Sequence, residues 1–234
     1  MSVYQTEGGY LLLENDVDYD YLLDFIIETN YEEEFCLSLD FQPHRLDKMM
    51  KAGFLVMSTA IINEGNDPKK IFILLPKHHK MRSILFFDNL HIGKTVKRFL
   101  KNYELKIDTD FDEIISMCIH THGDDWLTRP LIESLKQIRE NEHSLTRPFS
   151  FALYRGSKLT AGEFGVVSGR VYTSYSGYYI ENNAGRVQMI LTAIFLRDNG
   201  FAFWDLGMPL DYKYSLGVHD VDTKKFLELF RGAQ

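Results

Sequence analysis

The spacing of apolar and polar residues divides the chain into helical and extended segments. Apolar residues that recur at intervals of three and four predict a helix, whereas apolar and aromatic runs between turn residues predict a strand. In the first 140 residues this pattern predicts five helices, at 18–28, 43–53, 93–100, 112–119 and 131–140. Two strands are predicted at 54–62 and 70–75, with a turn between them at 63–68. Thr128 is available to cap the last of these helices.

From residue 148 onward the texture changes to strands. Apolar and aromatic runs at 149–154, 158–167 and 170–175, separated by short turns that contain glycine, predict an antiparallel meander. A helix at 184–199 ends before Gly200, and a buried strand follows at 201–206. This order predicts an α+β fold with a mixed sheet of the GNAT (acyl-CoA N-acyltransferase-like) type. The predicted domains are a small N-terminal α/β domain, 1–82, and a GNAT-like C-terminal domain, 83–234.

The composition is that of a protein with a substantial apolar core. Of the 234 residues 45% are apolar and 14% aromatic, which excludes a disordered chain. The sequence holds no apolar run near the roughly 20 residues of a membrane span, and its acidic opening does not resemble a secretory or transit signal. Two cysteines, Cys36 and Cys118, are too few for a disulfide framework. We therefore expect a soluble cytoplasmic protein with no membrane partner.

Charge is distributed unevenly along the chain. The formal net charge is −7, yet residues 1–40 hold eleven carboxylates and no Lys or Arg. In residues 41–234 the 26 basic side chains exceed the 22 remaining acidic ones, so this part carries a formal +4. The acidic segment is interpreted as a solvated helix face, and a nucleic-acid mimic that guards a basic groove is the alternative. The local distribution therefore permits a polyanionic partner.

A basic stripe is predicted on the helix at 93–100. Seven Lys and Arg residues lie between positions 77 and 101, against one acid, Asp88. Four of them recur at intervals that place them on one helix face and define the basic stripe: Lys94, Lys97, Arg98 and Lys101. Such a face can follow a phosphate backbone, whose affinity for proteins is largely electrostatic. A solvated surface helix is the alternative.

The sequence gives weak signals for a metal or a cofactor. Cys118-x-His120-x-His122 is the only metal-like cluster, and no fourth ligand accompanies it at a familiar spacing. The turn at 182–186 precedes the long helix, but it lacks the glycine spacing that binds the pyrophosphate of coenzyme A. We therefore expect neither a metal nor a cofactor.

Several short motifs follow one another in a specific order between residues 39 and 217. They are Leu39-Asp40-Phe41-x-Pro43-x-Arg45-Leu46 with Gly53-Phe54, Arg82-Ser-Ile-Leu85 with Leu90-His-Ile92 and Lys97-Arg98, Trp126-Leu-Thr-Arg129, Gly162-x-Phe-Gly165, Asn183-Ala184, Asp205 and Ser215-Leu-Gly217. In this order and spacing they resemble the leucyl/phenylalanyl-tRNA-protein transferase family over roughly residues 38–230. Each motif is short, and it is the ordered set that is specific.

The resemblance implies an aminoacyltransferase with two GNAT-like parts. Its donor would be aminoacyl-tRNA, and its acceptor the α-amine of a protein that begins with Arg or Lys, which links it to N-degron protein degradation. Leu, Phe or Met would be transferred. The chemistry requires an amine that loses a proton, a stabilised ester carbonyl and a tRNA 3′ end held in line. It also requires an apolar pocket for the transferred side chain.

The resemblance assigns roles to particular residues. Asp205 stands where the family has its active-site aspartate, with a helix cap or turn residue as the alternative. Trp126 matches a tryptophan that stacks on the terminal adenosine or lines the side-chain pocket, with a core tryptophan as the alternative. The residues expected to bind the substrates are Trp126, Met57, Phe54, Tyr212 and Ser215. Those expected to contact the RNA are Arg82, Lys94, Lys97, Arg98 and Lys101.

The chain departs from the family at positions that carry its chemistry. The family has Gln two residues after the aspartate, where this chain has Gly207, and Glu at the position of Tyr175. Met57 ends a segment whose family counterpart is aromatic, and Tyr212 replaces a His. Because glycine has no side chain to position an amine, the family's mechanism does not transfer unchanged. The loss of aromatic groups near Met57 predicts an altered donor preference.

Two residues are predicted to compensate. Glu163 introduces a carboxylate where the family has an apolar residue, and Tyr175 brings a hydroxyl. We hypothesise that Asp205 and Glu163 bind the basic N-terminus of the acceptor or accept its proton. The predicted catalytic residues are thus Asp205, Glu163 and Tyr175, and their convergence on one pocket beside the basic stripe would favour a transferase over a family member without catalysis.

Two other functions remain open from the sequence. The first is a catalytically impaired family member that binds RNA or protein N-termini. The second is a GNAT-like acyltransferase that uses another donor. A pocket filled by aromatic side chains favours the former, and a helix N-terminus that binds pyrophosphate favours the latter.

Overall fold

The computed structural model describes residues 3–14, 17–63 and 68–234. Its helices are α1 (Tyr19–Glu28), α2 (Pro43–Ala52), α3 (Lys94–Leu100), α4 (Phe111–His122), α5 (Arg129–Glu140), α6 (Ala184–Asp198), α7 (Asp211–Tyr214) and α8 (Thr223–Arg231). Its strands are β1 (Val3–Gln5), β2 (Leu11–Leu13), β3 (Leu55–Asn63), β4 (Lys69–Lys77), β5 (Met81–Leu85), β6 (Glu104–Ile107), β7 (Thr146–Arg155), β8 (Lys158–Ser168), β9 (Val171–Tyr179), β10 (Phe203–Asp205) and β11 (His219–Asp222). Among these residues, no helix combines the length and apolar character that a bilayer crossing requires.

The predicted α+β class and the predicted helices and strands are confirmed. α2 begins at Pro43 and ends at Ala52, and its C-cap Gly53 has a φ of 113°, a left-handed conformation that glycine adopts without strain. Thr128 occupies the predicted N-cap position of α5, but its hydroxyl bonds to Ser58 instead of to the helix. Of the turn predicted at 63–68, residues 64–67 lie outside the described residues. The sequence did not predict β1, β2, β5, β6, β11, α7 or α8.

The chain divides into two compact units. The first comprises Met1–Lys80 and Gly123–Thr146, and the second comprises Met81–His122 and Arg147–Gln234. The predicted domains, 1–82 and 83–234, are contiguous, whereas each unit is built from two stretches of chain. That domain division stays a prediction.

The first unit combines a short β pair, three helices and a long hairpin. β1 and β2 pair antiparallel, and β3 and β4 pair antiparallel along nine residues each. Bridges at Leu37 and Ser38 join the segment after α1 to β2 and β4. α2 contacts α1, α5 and β3. Leu46, Leu74 and Leu135 are fully buried in this unit.

Asp47 is a buried carboxylate that joins two separate stretches of the chain in the first unit. It lies on α2 and is 6% exposed. Its Oδ2 accepts the N–H of Leu145 at 2.7 Å, and its Oδ1 accepts the N–H and the hydroxyl of Thr146 at 2.8 and 2.6 Å. Charge-assisted bonds of this kind are stronger than neutral ones. Asp47 therefore ties α2 to the segment that follows α5.

Replacing Asp47 with Ala should destabilise the first unit by about 3 kcal/mol, because buried donors then lose their acceptor. Urea unfolding monitored by circular dichroism measures this change. Glu133→Ala is the matched control: Glu133 makes an exposed pair with Arg129, and surface pairs contribute roughly 0–1 kcal/mol. Equal stability of the two variants would contradict the role of Asp47.

The second unit is built on a mixed sheet of seven strands in the order β11-β5-β10-β9-β8-β7-β6. β8 and β9 pair antiparallel, as do β6 and β7. β9 and β10 form a parallel pair, and β10 and β11 both pair antiparallel with β5. Parallel neighbours require a crossover, and α6 provides it between β9 and β10.

Helices cover both faces of this sheet. α6 contacts β6, β8, β9 and β10, and α3 packs on α6. α4 contacts β8 and β9, while α8 contacts β5 and β11. Ile190 and Leu196 of α6 share an apolar cluster with Phe151, Tyr172 and Trp204 of the sheet. This cluster defines the α6 face of the sheet.

A buried ion pair joins β5 to the end of β10. Arg82 and Asp205 are both fully buried, with 2.6 Å between Arg82 Nη1 and Asp205 Oδ2. The Arg82 guanidinium also lies 4.4 Å from the centre of the Phe226 ring of α8. Because Trp204 faces α6, the neighbouring Asp205 faces away from α6. The pair therefore occupies the α8 side of the sheet.

Replacing Arg82 with Met should cost roughly 3–5 kcal/mol, because it leaves the Asp205 carboxylate buried without its cation. The double variant Arg82→Met/Asp205→Asn removes both charges and should recover a large part of that loss. Urea unfolding of the two single variants and the double variant measures the coupling. Additive losses in the double variant would show that the pair is not a stabilising unit.

Candidate active site

In the second unit, β9 extends beyond the end of β10, and the region beside β9 past the end of β10 is named here the gap. The parallel pairing covers only Val171 to Thr173 on β9 and Phe203 to Asp205 on β10. β9 continues to Tyr179, whereas after Asp205 the chain turns away toward α7. In open sheets, ligands commonly bind beyond the carboxyl ends of parallel strands. The end of β10 is therefore the expected position of a ligand site in this unit.

Glu163 lies on the α6 face of β8 and is 5% exposed. Ser174 donates its hydroxyl hydrogen to Glu163 Oε1, and Gln188 of α6 donates to Oε2 at 2.9 Å. Trp204 Nε1 donates to the Ser174 hydroxyl at 2.7 Å. Burial raises the pKa of Glu163, while the hydrogen bonds from Ser174 and Gln188, the nearby Tyr172 hydroxyl and the charge of Lys213 oppose that rise. Glu163 is thus a buried carboxyl in a connected polar network.

Asp205 is enclosed on the opposite face of the sheet. Its Oδ2 accepts from Arg82 and, at 3.0 Å, from the hydroxyl of Thr173. Its Oδ1 accepts the backbone N–H of Gly207 at 2.9 Å. The φ of Gly207 is 74°, a left-handed value that favours glycine. Gly207, where the family has Gln, therefore supports Asp205 through its backbone.

The three predicted catalytic side chains do not share one face. Tyr175 is half-buried, and its ring lies 6.0 Å from the ring of Phe164. Phe164 in turn packs edge-on against Phe111 of α4, at 6.0 Å. Tyr175 therefore lies on the α4 side of the sheet, and Asp205 lies on the α8 side. Both of these sides are opposite the α6 face, on which Glu163 lies.

Lys213 is a buried cation that the sequence analysis missed. It lies on α7, is 4% exposed, and donates from Nζ to the carbonyls of Leu206 and Met208, both at 2.6 Å. Burial lowers its pKa to about 8, against the opposing charges of Asp205, Glu163 and Asp220. A single lysine in a four-residue helix carries no periodic signal, so the sequence could not distinguish it from a surface lysine.

Arg186, Tyr212 and Ser215 form the rim of this region. Arg186 of α6 donates to the hydroxyl and the carbonyl of Ser215, and to the carbonyl of Tyr212 at 3.5 Å. Tyr212 is 57% exposed, and burial, followed by the charge of Glu163, raises its pKa. Arg186 lies in the first turn of α6. From the sequence, the segment 182–186 was considered only as a pyrophosphate-binding turn. Tyr212 and Ser215 were both predicted to bind substrate, and that role stays a prediction.

The other residues predicted to bind substrate lie in the first unit. The carbonyl of Trp126, a half-buried residue, accepts the N–H of Ser58 at 3.0 Å. Met57 is half-buried on β3. Phe54 is 3% exposed and its ring lies 6.3 Å from that of Tyr19, which makes Phe54 a core residue. A cleft of about 420 Å³ beside Asp47 contains none of these three residues.

The predicted RNA-binding residues separate into two groups. The basic stripe (Lys94, Lys97, Arg98 and Lys101) is exposed along α3 and its C-cap. Val96, Phe99 and Leu100 of α3 pack inward instead. Arg82 is a correction, because it is fully buried and paired with Asp205, so it is not available to a phosphate at the surface.

The residues of the Cys-x-His-x-His cluster have other surroundings. Cys118 is buried, and burial raises the pKa of its thiol to about 12. A ring nitrogen of His122 lies 2.9 Å from the carbonyl of Gly177. In the described part of the chain, no group of three or more His, Cys, Asp or Glu side chains is arranged to hold a metal ion.

The chain is similar to several curated bacterial proteins. The leucyl/phenylalanyl-tRNA–protein transferase of Campylobacter jejuni (strain RM1221) is 27% identical over 150 residues, which are 64% of this chain and 67% of that protein. That of Pectobacterium carotovorum subsp. carotovorum (strain PC1) is 27% identical over 63% of this chain and 62% of its own length. That of Deinococcus radiodurans is 28% identical over 62% of this chain and 70% of its own length.

Solved structures also resemble the chain, at much lower identity. FemX has a TM-score of 0.45 at 10% identity, over 91% of this chain and 78% of its own. A GCN5-related N-acetyltransferase from Anabaena variabilis has a TM-score of 0.41 at 8% identity, over 86% of this chain and 46% of its own. Scores of this size carry no argument about function.

The family model described as leucyl/phenylalanyl-tRNA protein transferase matches residues 84–231. This range covers more than half of the chain and includes Glu163, Asp205 and Lys213. The ordered motifs found in the sequence point to the same family. The chain belongs to the leucyl/phenylalanyl-tRNA-protein transferase family.

Proposed function

We propose that this protein transfers an amino acid of the Leu, Phe or Met type from aminoacyl-tRNA to the N-terminal amine of a protein that begins with Arg or Lys. The observation that carries the proposal is that the family match at 84–231 contains the whole region at the end of β10. The curated relatives are named leucyl/phenylalanyl-tRNA–protein transferases, which supports an aminoacyl-tRNA donor and a protein acceptor.

The reaction is an aminolysis of an ester. The nitrogen of the neutral acceptor amine attacks the carbonyl carbon of the aminoacyl ester, and a C–N bond forms. The C–O bond to the ribose of the terminal adenosine breaks, and the ribose oxygen takes one proton. The nitrogen loses one proton, so the products are an amide and a free ribose hydroxyl. The protein must move this proton and hold both reactants in line.

Glu163 is the proposed proton acceptor. Its raised pKa makes it a stronger base than an exposed carboxylate, provided that it is ionised. The half-buried hydroxyl of Ser174 is hydrogen-bonded to it and provides a path for a proton toward the gap beside β10. Glu163 also lies within electrostatic range of Lys213, whose charge favours its ionised form.

Asp205 is proposed to act as a positioning residue instead of a base. It is fully buried, and its oxygens accept from Arg82, Thr173 and Gly207. These contacts fix the turn in which β10 leaves β9, and so the width of the gap. The roles hypothesised for Asp205 and Glu163 from the sequence are thereby divided between two faces of the sheet.

The basic stripe is proposed to bind the tRNA. Its four cations project from one helix that the apolar cluster around α6 holds in place. Electrostatic contact with phosphates provides affinity without sequence specificity. The apolar pocket for the transferred side chain is assigned to Trp126 and Met57 on the basis of the family motifs alone.

A second candidate function is supported by a specific observation. The enclosure of Asp205, and its separation from Glu163 by the sheet, favours a member that binds RNA or a protein N-terminus without transferring an amino acid. A GNAT-like acyltransferase with another donor stays a prediction from the sequence.

The transfer assay uses purified tRNA charged with Leu, Phe or Met and a peptide that begins with Arg. Glu163→Gln should lower kcat/KM by roughly 100-fold or more, because a general base contributes about 10²–10⁴. The activity of the wild type should rise as the pH increases through the raised pKa of Glu163. This rise should be absent in the variant. Glu104→Gln, an exposed carboxylate of β6, is the control.

Unchanged activity of Glu163→Gln would contradict its role as the base. If the wild type transfers none of the three amino acids but binds tRNA, the second candidate function replaces the first. A peptide that begins with Ala tests the acceptor preference, and equal rates with Arg and Ala would exclude recognition of a basic first residue.

Replacing Lys97 and Arg98 with Gln together should weaken tRNA binding and flatten its salt dependence. Removing one cation that neutralises a phosphate reduces the slope of log K against log salt by about one unit. Filter binding between roughly 50 and 300 mM salt measures the slope. Lys224→Gln/Lys225→Gln is the matched control, because both lysines are exposed on α8. An unchanged slope would place the tRNA elsewhere on the protein.

A further inference from the structure

The segment at 206–208, named here the β10 loop, is fixed on two sides. On one side, Ser83 of β5 accepts the N–H of Leu206 at 2.9 Å and donates its own N–H to the carbonyl of Gly207 at 2.7 Å. On the other side, Lys213 Nζ donates to the carbonyls of Leu206 and Met208. The loop reaches the surface at Met208, which is 51% exposed.

The ammonium of Lys213 interacts electrostatically with carboxylates on both faces of the sheet. The charged and titratable groups that face its ammonium come from four elements: Asp205 of β10, Glu163 of β8, Asp220 of β11 and Tyr212 of α7. Asp205 is already paired with Arg82, and the Asp220 carboxylate accepts from Ser83 and Tyr214 at 2.6 Å. Glu163 accepts neutral donors from Ser174 and Gln188.

We infer that Lys213 is a positioning residue for the proposed transfer reaction, and that its positive charge holds the β10 loop through the carbonyls of Leu206 and Met208. The inference rests on the proposed function, because the loop borders the gap in which the reaction is placed. An ammonium donates charge-assisted bonds to the two carbonyls, which are stronger than those of a neutral amine. Loss of its proton therefore loosens the loop.

The inference gives activity an alkaline limit that originates in the enzyme. Burial lowers the pKa of Lys213 to about 8, so its charge is present below this pH and is lost above it. kcat/KM of the wild type should therefore fall as the pH rises through about 8. The acceptor amine gains reactivity over the same range, since deprotonation makes it nucleophilic, so the fall cannot come from the peptide.

Two substitutions at the same position separate charge from shape. Lys213→Met removes the charge at every pH and should lower kcat/KM near neutral pH by roughly 10- to 100-fold through misplacement of the loop. Lys213→Arg keeps its charge up to about pH 12, so its activity should lack the fall near pH 8. Lys224→Met, on the exposed side of α8, should match the wild type.

A measurement independent of transfer uses the backbone amide of Gly207, which donates to Asp205. In ¹H–¹⁵N NMR spectra its resonance should shift with a midpoint near pH 8 in the wild type and the Lys224→Met variant. It should not shift with that midpoint in Lys213→Arg or Lys213→Met. If Lys213→Met does not fold, the wild type and Lys213→Arg still provide the comparison.

The outcomes distinguish the inference from the function on which it rests. A Gly207 transition near pH 8 without transfer of Leu, Phe or Met supports the role of Lys213 in the loop and overturns the proposed function. Transfer whose pH profile is identical in the wild type and Lys213→Arg, with no Gly207 transition, overturns the inference and leaves the proposed function standing.

Discussion

The buried ion pair between Arg82 and Asp205 fixes the point at which the parallel strands β9 and β10 separate, and the geometry of the candidate site depends on it. Asp205 is the last residue of β10, and its carboxylate accepts from β5, from β9 and from the backbone that follows it. Because two opposite charges are buried together, moving one of them would leave the other buried without a partner. The strand end is therefore held firmly, and the loop after it begins from a defined position.

This constraint assigns different tasks to the two carboxylates of the region. Asp205 accepts from three donors on the α8 side of the sheet, which supports its proposed role as a positioning residue. Glu163 is on the α6 side, where burial raises its pKa and where its partners are neutral groups and the more distant Lys213. A raised pKa suits a group that exchanges protons near neutral pH. Separation by the sheet thus leaves Asp205 paired with Arg82 and Glu163 hydrogen-bonded to neutral groups.

The departures from the family acquire a local explanation. Gly207 has a left-handed backbone and donates its N–H to Asp205, so the absent Gln side chain is not needed to orient that carboxylate. Glu163, where the family has an apolar residue, adds a carboxylate to the α6 face of the sheet, and Ser174 and Gln188 donate hydrogen bonds to it.

The sequence alone determined the family, the α+β class and most helices and strands, because ordered motifs and apolar spacing are properties of neighbouring residues. It also placed the basic stripe on one face of α3. Only the tertiary structure decided that Arg82 is buried beside Asp205, that Glu163 and Asp205 occupy opposite faces, and that Lys213 lies near both. Burial, pairing and strand order join residues that are far apart in the chain, as Arg82 and Asp205 are. A local sequence pattern does not distinguish a cation that will be buried, such as Arg82, from one that stays at the surface.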